Sequence, residues 1–229
     1  MKVWIRVAGM LAAICWMVFG ITLIIFLTAG NGGYLADRML GNASPEVTGL
    51  PEAEYPGVGE MTAGYLTGRT KRFHYTYTDA SGRTVSCFHD DEEAHMADCR
   101  ALIRLDRTAM ILSGGLLILL TAGFLRKQNA EGFCRGLLWG LRIVVAAAAG
   151  LLAWALADFD GFFVTFHRIA FTNDGWLLNP SEDLLIRLMP ETFFTDLGVR
   201  GLKWAAALPA APAAAARIAL RKAGRRNGK

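Results

Sequence analysis

Apolar residues in this chain are gathered into long runs, and charge is concentrated between them. A helix needs roughly 20 apolar residues to cross a hydrocarbon core about 30 Å thick. Val7 to Ala29 meets that length without a charge, behind Lys2 and Arg6. A second run, Thr108 to Leu125, closes on Arg126-Lys127. A third, Gly136 to Ala157, holds a single charge, Arg142, near enough to one end to snorkel. A fourth, Leu197 to Leu220, is Ala-rich, contains Pro209 and Pro212, and carries Arg200, Lys203 and Arg217 towards its ends. Its outer half has the composition to lie in the interface instead of spanning. The pattern predicts a membrane all-α bundle of about four transmembrane helices, at 1–30, 107–126, 136–157 and 197–220. The first run also has the basic-then-apolar order of a signal peptide. Its length, and a Thr28-Ala29-Gly30 end that makes no more than a fair cleavage site, favour an uncleaved helix.

Composition agrees. Of 229 residues, 53% are hydrophobic and 19% charged, too apolar a balance for an ordinary soluble domain of this size. Net charge is +4, with the basic residues at the edges of apolar runs. Nucleic-acid binding is excluded, since it wants a continuous basic face interleaved with stacking aromatics. The four cysteines contain no CxxC pair, which argues against zinc or thioredoxin-type sites.

Charge also orients the chain. With the N-terminus inside, the cytoplasmic pieces are the first six residues, the turn 127–135 and the tail 221–229. These pieces and their borders are basic and hold one acid, Glu131. Every other acid falls in 31–106 or 158–196. Lys and Arg excess on short inner segments sets membrane orientation. Both termini are therefore expected in the cytoplasm of a multi-pass bacterial cell-membrane protein, and both acidic loops outside.

The first outer loop, 31–106, reads as a small α+β domain. Asn31 to Pro56 is rich in Gly, Pro, Glu and Ala and reads as irregular, and Glu60 to Leu66 as a helical turn or two. Lys71–Thr78 and Arg83–Phe88 predict a β-hairpin around Asp79–Gly82, with Phe73, Tyr75 and Tyr77 on one face. Asp90-Asp91-Glu92-Glu93 has the D-x-x-E capping-box pattern and starts a helix running into the second span. His95, Asp98, Cys99 and Leu102 share one face of it. The second outer loop, 158–196, is densely aromatic. Asn179-Pro180 is a helix start, followed by an amphipathic turn with Leu184, Leu185 and Leu188 on one side and stopped by Pro190. Such a loop beside two spans reads as a segment in the lipid interface.

All four histidines fall in these two loops. His74 alternates with the aromatic strand face and reads as solvent-facing, and His89 reads as a turn residue. His95 has Asp98 one helical turn away, a spacing that orients an imidazole and also occurs in simple surface pairs. His167 stands in an apolar setting near the third span, where an ionisable group is a functional candidate by default. Asn173-Asp174 reads equally as a capped turn leading to Trp176.

AHMADCRAL (Ala94–Leu102) and FHRIAFTNDGWLLNPSEDLLIRLMPETFF (Phe166–Phe194) resemble the two signatures of the DUF1461 family of small bacterial membrane proteins, which includes the lipoprotein intramolecular transacylases. Tyr65-Leu66 falls where that family carries a Tyr-Leu pair. Cys99 and Arg100 stand in place of a Val-Lys pair, Ala170 in place of Phe and Asn179 in place of Asp. The resemblance implies a four-span layout and an enzyme acting on diacylated bacterial lipoproteins in membrane lipid. The enzyme would move the sn-2 acyl chain from the glyceryl oxygen to the α-amine of the N-terminal cysteine, giving the lyso form. Ester-to-amide exchange runs downhill, so no cofactor or metal is implied, and the chain has neither a GxSxG elbow nor a phosphate-binding loop.

The resemblance makes His167 the principal proton shuttle and His95, oriented by Asp98, its partner. Asn173 and Arg168 become candidate donors to the oxyanion or substrate backbone, and Asp174 a group that orients His167. Tyr65 and Trp176 become candidate substrate contacts. Three other uses of these residues stay open: a metal held by His95, Asp98 and His167, a Cys87–Cys99 disulfide, and an acyl-cysteine at Cys99. The competing class is a membrane protein that binds lipid or lipopeptide without chemistry. The sequence leaves oligomeric state unspecified.

Overall fold

The computed structural model describes residues 3–125 and 130–227; Lys2, Arg126, Lys127 and Lys229, used in the charge argument, lie outside the described residues. The charge-free runs are helical where expected. α1 is Val3–Ala29, and α2 (Gly32–Asn42), α3 (Pro45–Thr48) and α4 (Tyr55–Thr67) follow. The strands β1 (Thr76–Thr78) and β2 (Thr84–Ser86) precede α5 (Asp90–Leu125) and α6 (Ala130–Ala157). α7 (Phe159–Ala170), α8 (Leu184–Leu188), α9 (Glu191–Ala207) and α10 (Ala210–Asn227) complete the chain. Among the described residues, α1, α5 and α6 are long and apolar enough to cross a membrane. In α5 the apolar stretch begins at Thr108, well after the acidic first turn. Two compact units result: Met1–Ile24, Arg107–Val164 and Leu202–Lys229 form one, and Ile25–Asp106 and Thr165–Gly201 the other.

In the first unit, α1 and α6 meet backbone to backbone. A side chain at Gly9 would strike the Phe133 carbonyl, and one at Gly136 the Arg6 carbonyl. A Cβ at Gly140 would lie 2.7 Å from the Ala13 Cβ. Small residues permit this approach where lipid supplies no hydrophobic drive between helices. Leu112, Ile118, Leu119 and Leu156 remain 67–78% exposed, an apolar surface suited to lipid contact.

The fourth run is not one helix. It breaks at Leu208-Pro209, between α9 and α10. Pro212 has no N–H to offer the Leu208 carbonyl four residues back. That carbonyl accepts instead from Trp16 Nε1 of α1 at 2.8 Å. Removing the donor in Trp16→Phe leaves a carbonyl unsatisfied, which costs about 1–3 kcal/mol. The expected result is a melting temperature several degrees lower in detergent; an unchanged value would show the carbonyl satisfied by solvent.

In the second unit, the segment 31–56 is more ordered than its composition suggested. Asn31 caps α2 by accepting from the Tyr34 N–H at 3.0 Å. α2 packs on α4 because Gly59 lets the two backbones touch: a Cβ there would hit the Gly32 carbonyl and Ala36. Packing overrides the weak helix propensity of the three glycines in α2. The core gathers Leu35, Met39, Tyr55, Val58, Phe73 and Phe88 from the first loop. Leu184, Leu185 and Leu188 of α8 join it, so they are protein core and do not face lipid. α8 starts at Leu184 with Asp183 as its N-cap residue, later than Asn179-Pro180 proposed. Asn179 instead makes a turn, its side chain accepting from the Ser181 N–H at 3.1 Å and hydroxyl at 2.8 Å.

The hairpin pairs Thr76 with Ser86, Tyr77 with Val85 and Thr78 with Thr84, each strand shorter than expected. Gly82 takes φ +82 in its turn. Asp79 accepts from the Ser81 hydroxyl at 2.6 Å and the Arg83 N–H at 2.9 Å, which lowers its pKa to about 2.

The capping carboxylate of α5 is one residue earlier than the D-x-x-E reading. Glu92 reaches back to the His89 N–H at 2.7 Å, while Glu93 pairs with His74 Nδ1 at 3.1 Å. The other Glu92 oxygen accepts from the Leu185 N–H of α8 at 2.6 Å. A fully buried carboxylate thus joins two helix starts.

Candidate active site

The acid-capped start of α5 fixes the angular position of His95, one turn beyond Glu92. The same face then presents Asp98 and Cys99, as the i+3 and i+4 spacing requires. His167 lies in the last turn of α7 and is buried, with 7% exposure. The Phe171 N–H closes that turn on the His167 carbonyl at 2.8 Å. The two imidazoles, 72 residues apart in sequence, are stacked with ring centroids 6.3 Å apart and planes 29° from parallel.

Aromatic rings hold the pair. Phe171 lies 5.3 Å from His95, edge to face, and 5.5 Å from His167. Trp176 tilts over His167 at 4.9 Å, and Phe166 stands edge-on to it at 5.3 Å. Beyond α7, Asn173 Oδ1 accepts from the Gly175 N–H at 2.9 Å, which fixes its amide. Its Nδ2 then donates to Asp98 Oδ2 at 2.9 Å, tying the second loop to the helix that carries His95.

Electrostatics single out His95. Burial, and then the neighbouring His167, lower its pKa below the ordinary 6.5, opposed by Asp98. The imidazole is therefore neutral at neutral pH. Nε2 faces Cys99 Sγ at 3.5 Å, while Nδ1 is buried without a hydrogen-bond partner among the described residues. Buried polar atoms are nearly always paired, which leaves this one available to a substrate atom or to water. Burial pushes the Cys99 thiol up to about 12, the opposite of a nucleophilic thiolate. Cys87 and Cys99 are both free thiols, so the disulfide is absent.

The remaining candidates are less closely gathered. Arg168 and Asp174 are exposed, and the Asp174 carbonyl accepts from the Leu177 N–H at 3.0 Å. Tyr65 is in the core, 5.5 Å from Phe73 and with the Arg100 guanidinium 4.7 Å over its ring. Among the described residues, cation-ligand spacing occurs at His89, Asp91, Glu92 and Asp183. There the buried carboxylates are taken by backbone N–H groups, Glu92 as above and Asp183 by Asn179 at 2.6 Å. Phe171 was missed from the sequence, although its i+4 spacing from His167 was the available signal.

Among the described residues, three membrane-length helices mark an integral membrane protein, and its second unit carries two stacked histidines, one of them buried. A family model described as lipoprotein intramolecular transacylase Lit matches residues 10–194, and the chain belongs to that family, a family of transacylase-type enzymes. Among solved structures it is similar to the membrane integral lipoprotein intramolecular transacylase Lit from Bacillus cereus. That match has TM-score 0.75 and 18% identity over 97% of this chain and 98% of the other. A form of the same protein with one histidine replaced by arginine gives 0.70 and 18%, over 99% and 95%. A form with histidine replaced by alanine gives 0.72 and 17%, over 97% and 96%. At that identity the likeness establishes the fold. Comparison with curated proteins gives no match.

Proposed function

We propose that this protein moves the sn-2 acyl chain of a diacylglyceryl lipoprotein to the α-amine of its N-terminal cysteine. The observation that carries the reading is the stacked His95–His167 pair, with a buried, unpartnered Nδ1 on His95. Amine and ester lie in one substrate molecule, so positioning removes much of the barrier. The α-amine, with an ordinary pKa near 8, is largely an ammonium at neutral pH and has to shed protons to attack. His167 takes a proton as nitrogen bonds to the ester carbonyl carbon. His95 Nδ1–H donates to the developing oxyanion, its tautomer set by the protonated Cys99 thiol at Nε2. The carbon–oxygen bond to glycerol then breaks, and His167 returns the proton to the leaving oxygen. Amide and free sn-2 hydroxyl result, with no water, metal or second substrate consumed. Asp98 and Asn173 position His95, and Trp176 and Phe171 hold His167. Arg168 and Asp174 are exposed on either side of Phe171 and are candidate contacts for the substrate backbone, and Tyr65 packs under Arg100.

The test is expression in a bacterium whose lipoproteins are diacylated with a free α-amine. The N-terminal lipopeptide should keep its mass, and fragmentation should place one acyl group on the cysteine nitrogen. Folded protein that leaves both chains on glycerol would show a lipid-binding protein and not this enzyme.

The same reading puts both histidines at the outer leaflet and both termini in the cytoplasm, because acids crowd 31–106 and 158–196 while the tail is basic. A reporter fused after Lys229 should read as cytoplasmic. An external reading would mean that 197–220 does not carry the chain back across.

A further inference from the structure

A second polar site lies in the first unit, apart from the histidines. A cavity of about 480 Å³ is lined by Arg6 of α1, by Arg135, Trp139 and Arg142 of α6, and by Leu220 and Gly224 of α10. Its only acid, Glu131, is already engaged by Arg135 at 2.7 Å. Among the described residues, Arg6 and Arg142 form no ion pair. Arg142 sits about two turns further along α6 than Arg135, within the apolar run, with its guanidinium 5.0 Å over the Trp139 ring. A cation at such a position in a spanning helix is costly without a counter-charge. The positions 135, 139 and 142 share one helix face, and Arg6 meets them because Gly136 packs on its own carbonyl.

We infer that this cavity binds the phosphate headgroup of an anionic glycerophospholipid. Arg6 and Arg142 take the phosphate oxygens, a geometry for which the guanidinium fork is suited. Trp139, 59% exposed, lies at the level of the glycerol, and Leu138 and Leu220 begin the path of the acyl chains. Basic pockets between spanning helices recognise anionic headgroups in this way. The apolar half of the lining favours a lipid over free phosphate, the other source of the same chemistry.

The experiment uses the purified full chain in neutral detergent. Phosphatidylglycerol, phosphatidylethanolamine or inorganic phosphate is titrated while thermal unfolding is followed and bound lipid is counted by native mass spectrometry. Phosphatidylglycerol should raise the melting temperature and remain bound, and the other two should do neither. In Arg6→Gln/Arg142→Gln the same shift should need roughly 25-fold more phosphatidylglycerol, about fivefold for each charge lost. Lys222→Gln/Arg225→Gln removes equal charge outside the cavity and should bind as wild type. Equal stabilisation by inorganic phosphate would overturn the lipid assignment. Equal loss in both double variants would overturn the site in favour of diffuse attraction. Should the first double variant not fold, Arg6→Gln alone carries the test, with about a fivefold loss expected and none overturning the site.

Discussion

Replacing His167 with alanine should leave a membrane-inserted protein that converts its lipopeptide substrate about 10²- to 10⁴-fold more slowly, the usual contribution of a positioned general acid–base. The expectation rests on where the ring lies. It is buried, stacked on His95 and covered by Trp176, so solvent is poorly placed to carry the proton. Cys99 offers no substitute, because its thiol stays protonated to about pH 12. His167→Gln separates chemistry from packing: it keeps most of the volume and a hydrogen-bonding end, yet exchanges no proton, and should be as slow as the alanine variant. His95→Ala should also lose most activity, while retaining measurable turnover because His167 still moves the proton. His74→Ala and His89→Ala should remain near wild type. His74 pairs with Glu93 on the surface, and His89 contributes chiefly its backbone N–H. The measurement is the initial rate of acyl migration on a diacyl lipopeptide, read by fragmentation mass spectrometry. Wild-type rates in His167→Gln would remove this histidine from the chemistry.

How much of this was legible beforehand depended on the range of the interaction concerned. The membrane helices were readable because twenty apolar residues in a row are a local signal. The break at Leu208-Pro209 was half readable. The prolines mark it, but the partner of the orphaned carbonyl is Trp16, nearly two hundred positions away. Helix α2 was not readable, since its glycines argue against a helix until Gly59 is found pressed on the Gly32 carbonyl. The capping register of α5 was wrong by one residue for a similar reason. With acids at four consecutive positions, local pattern does not choose among them, and the Leu185 N–H of a distant helix selects Glu92. Likewise the amphipathic turn at Leu184 to Leu188 carries the same pattern whether it faces lipid or protein, and the core of the second unit decides it. At the site, the His95–Asp98–Cys99 face followed from helical spacing alone. The meeting of Asn173 with Asp98 did not, because it requires the fold to bring the end of α7 to the start of α5.

Asp98→Asn should slow acyl migration about 10²-fold, the scale of a small misplacement of a reacting group, without lowering the amount of folded protein. Asp98 accepts from Asn173 Nδ2 at 2.9 Å and is the charge that raises the pKa of His95 against burial and His167. The substitution keeps the shape, exchanges the charged acceptor for a weaker neutral one and removes the charge. Asn173→Ala breaks the same link from the other side and should be similarly slow. The double variant should be little worse than either single one, since residues acting through one contact are not additive. A merely structural role would move stability and leave the pH profile alone, so the profile is the deciding measurement. The folded pKa of His95 lies below its ordinary value of 6.5. An unfolded chain therefore takes up this proton first as pH falls. The neutral imidazole's contribution to stability is complete above pH 6.5 and is lost as pH drops through the folded value. Removing the Asp98 charge lowers that folded value further. The limb of kcat/KM that belongs to His95 should accordingly shift to more acid pH in Asp98→Asn, while the limb set by the substrate amine near pH 8 stays in place. Asn173→Ala keeps the carboxylate and should not produce that acid shift. A limb that moves towards alkaline pH in Asp98→Asn, or stays where wild type has it, would show that Asp98 does not act through His95.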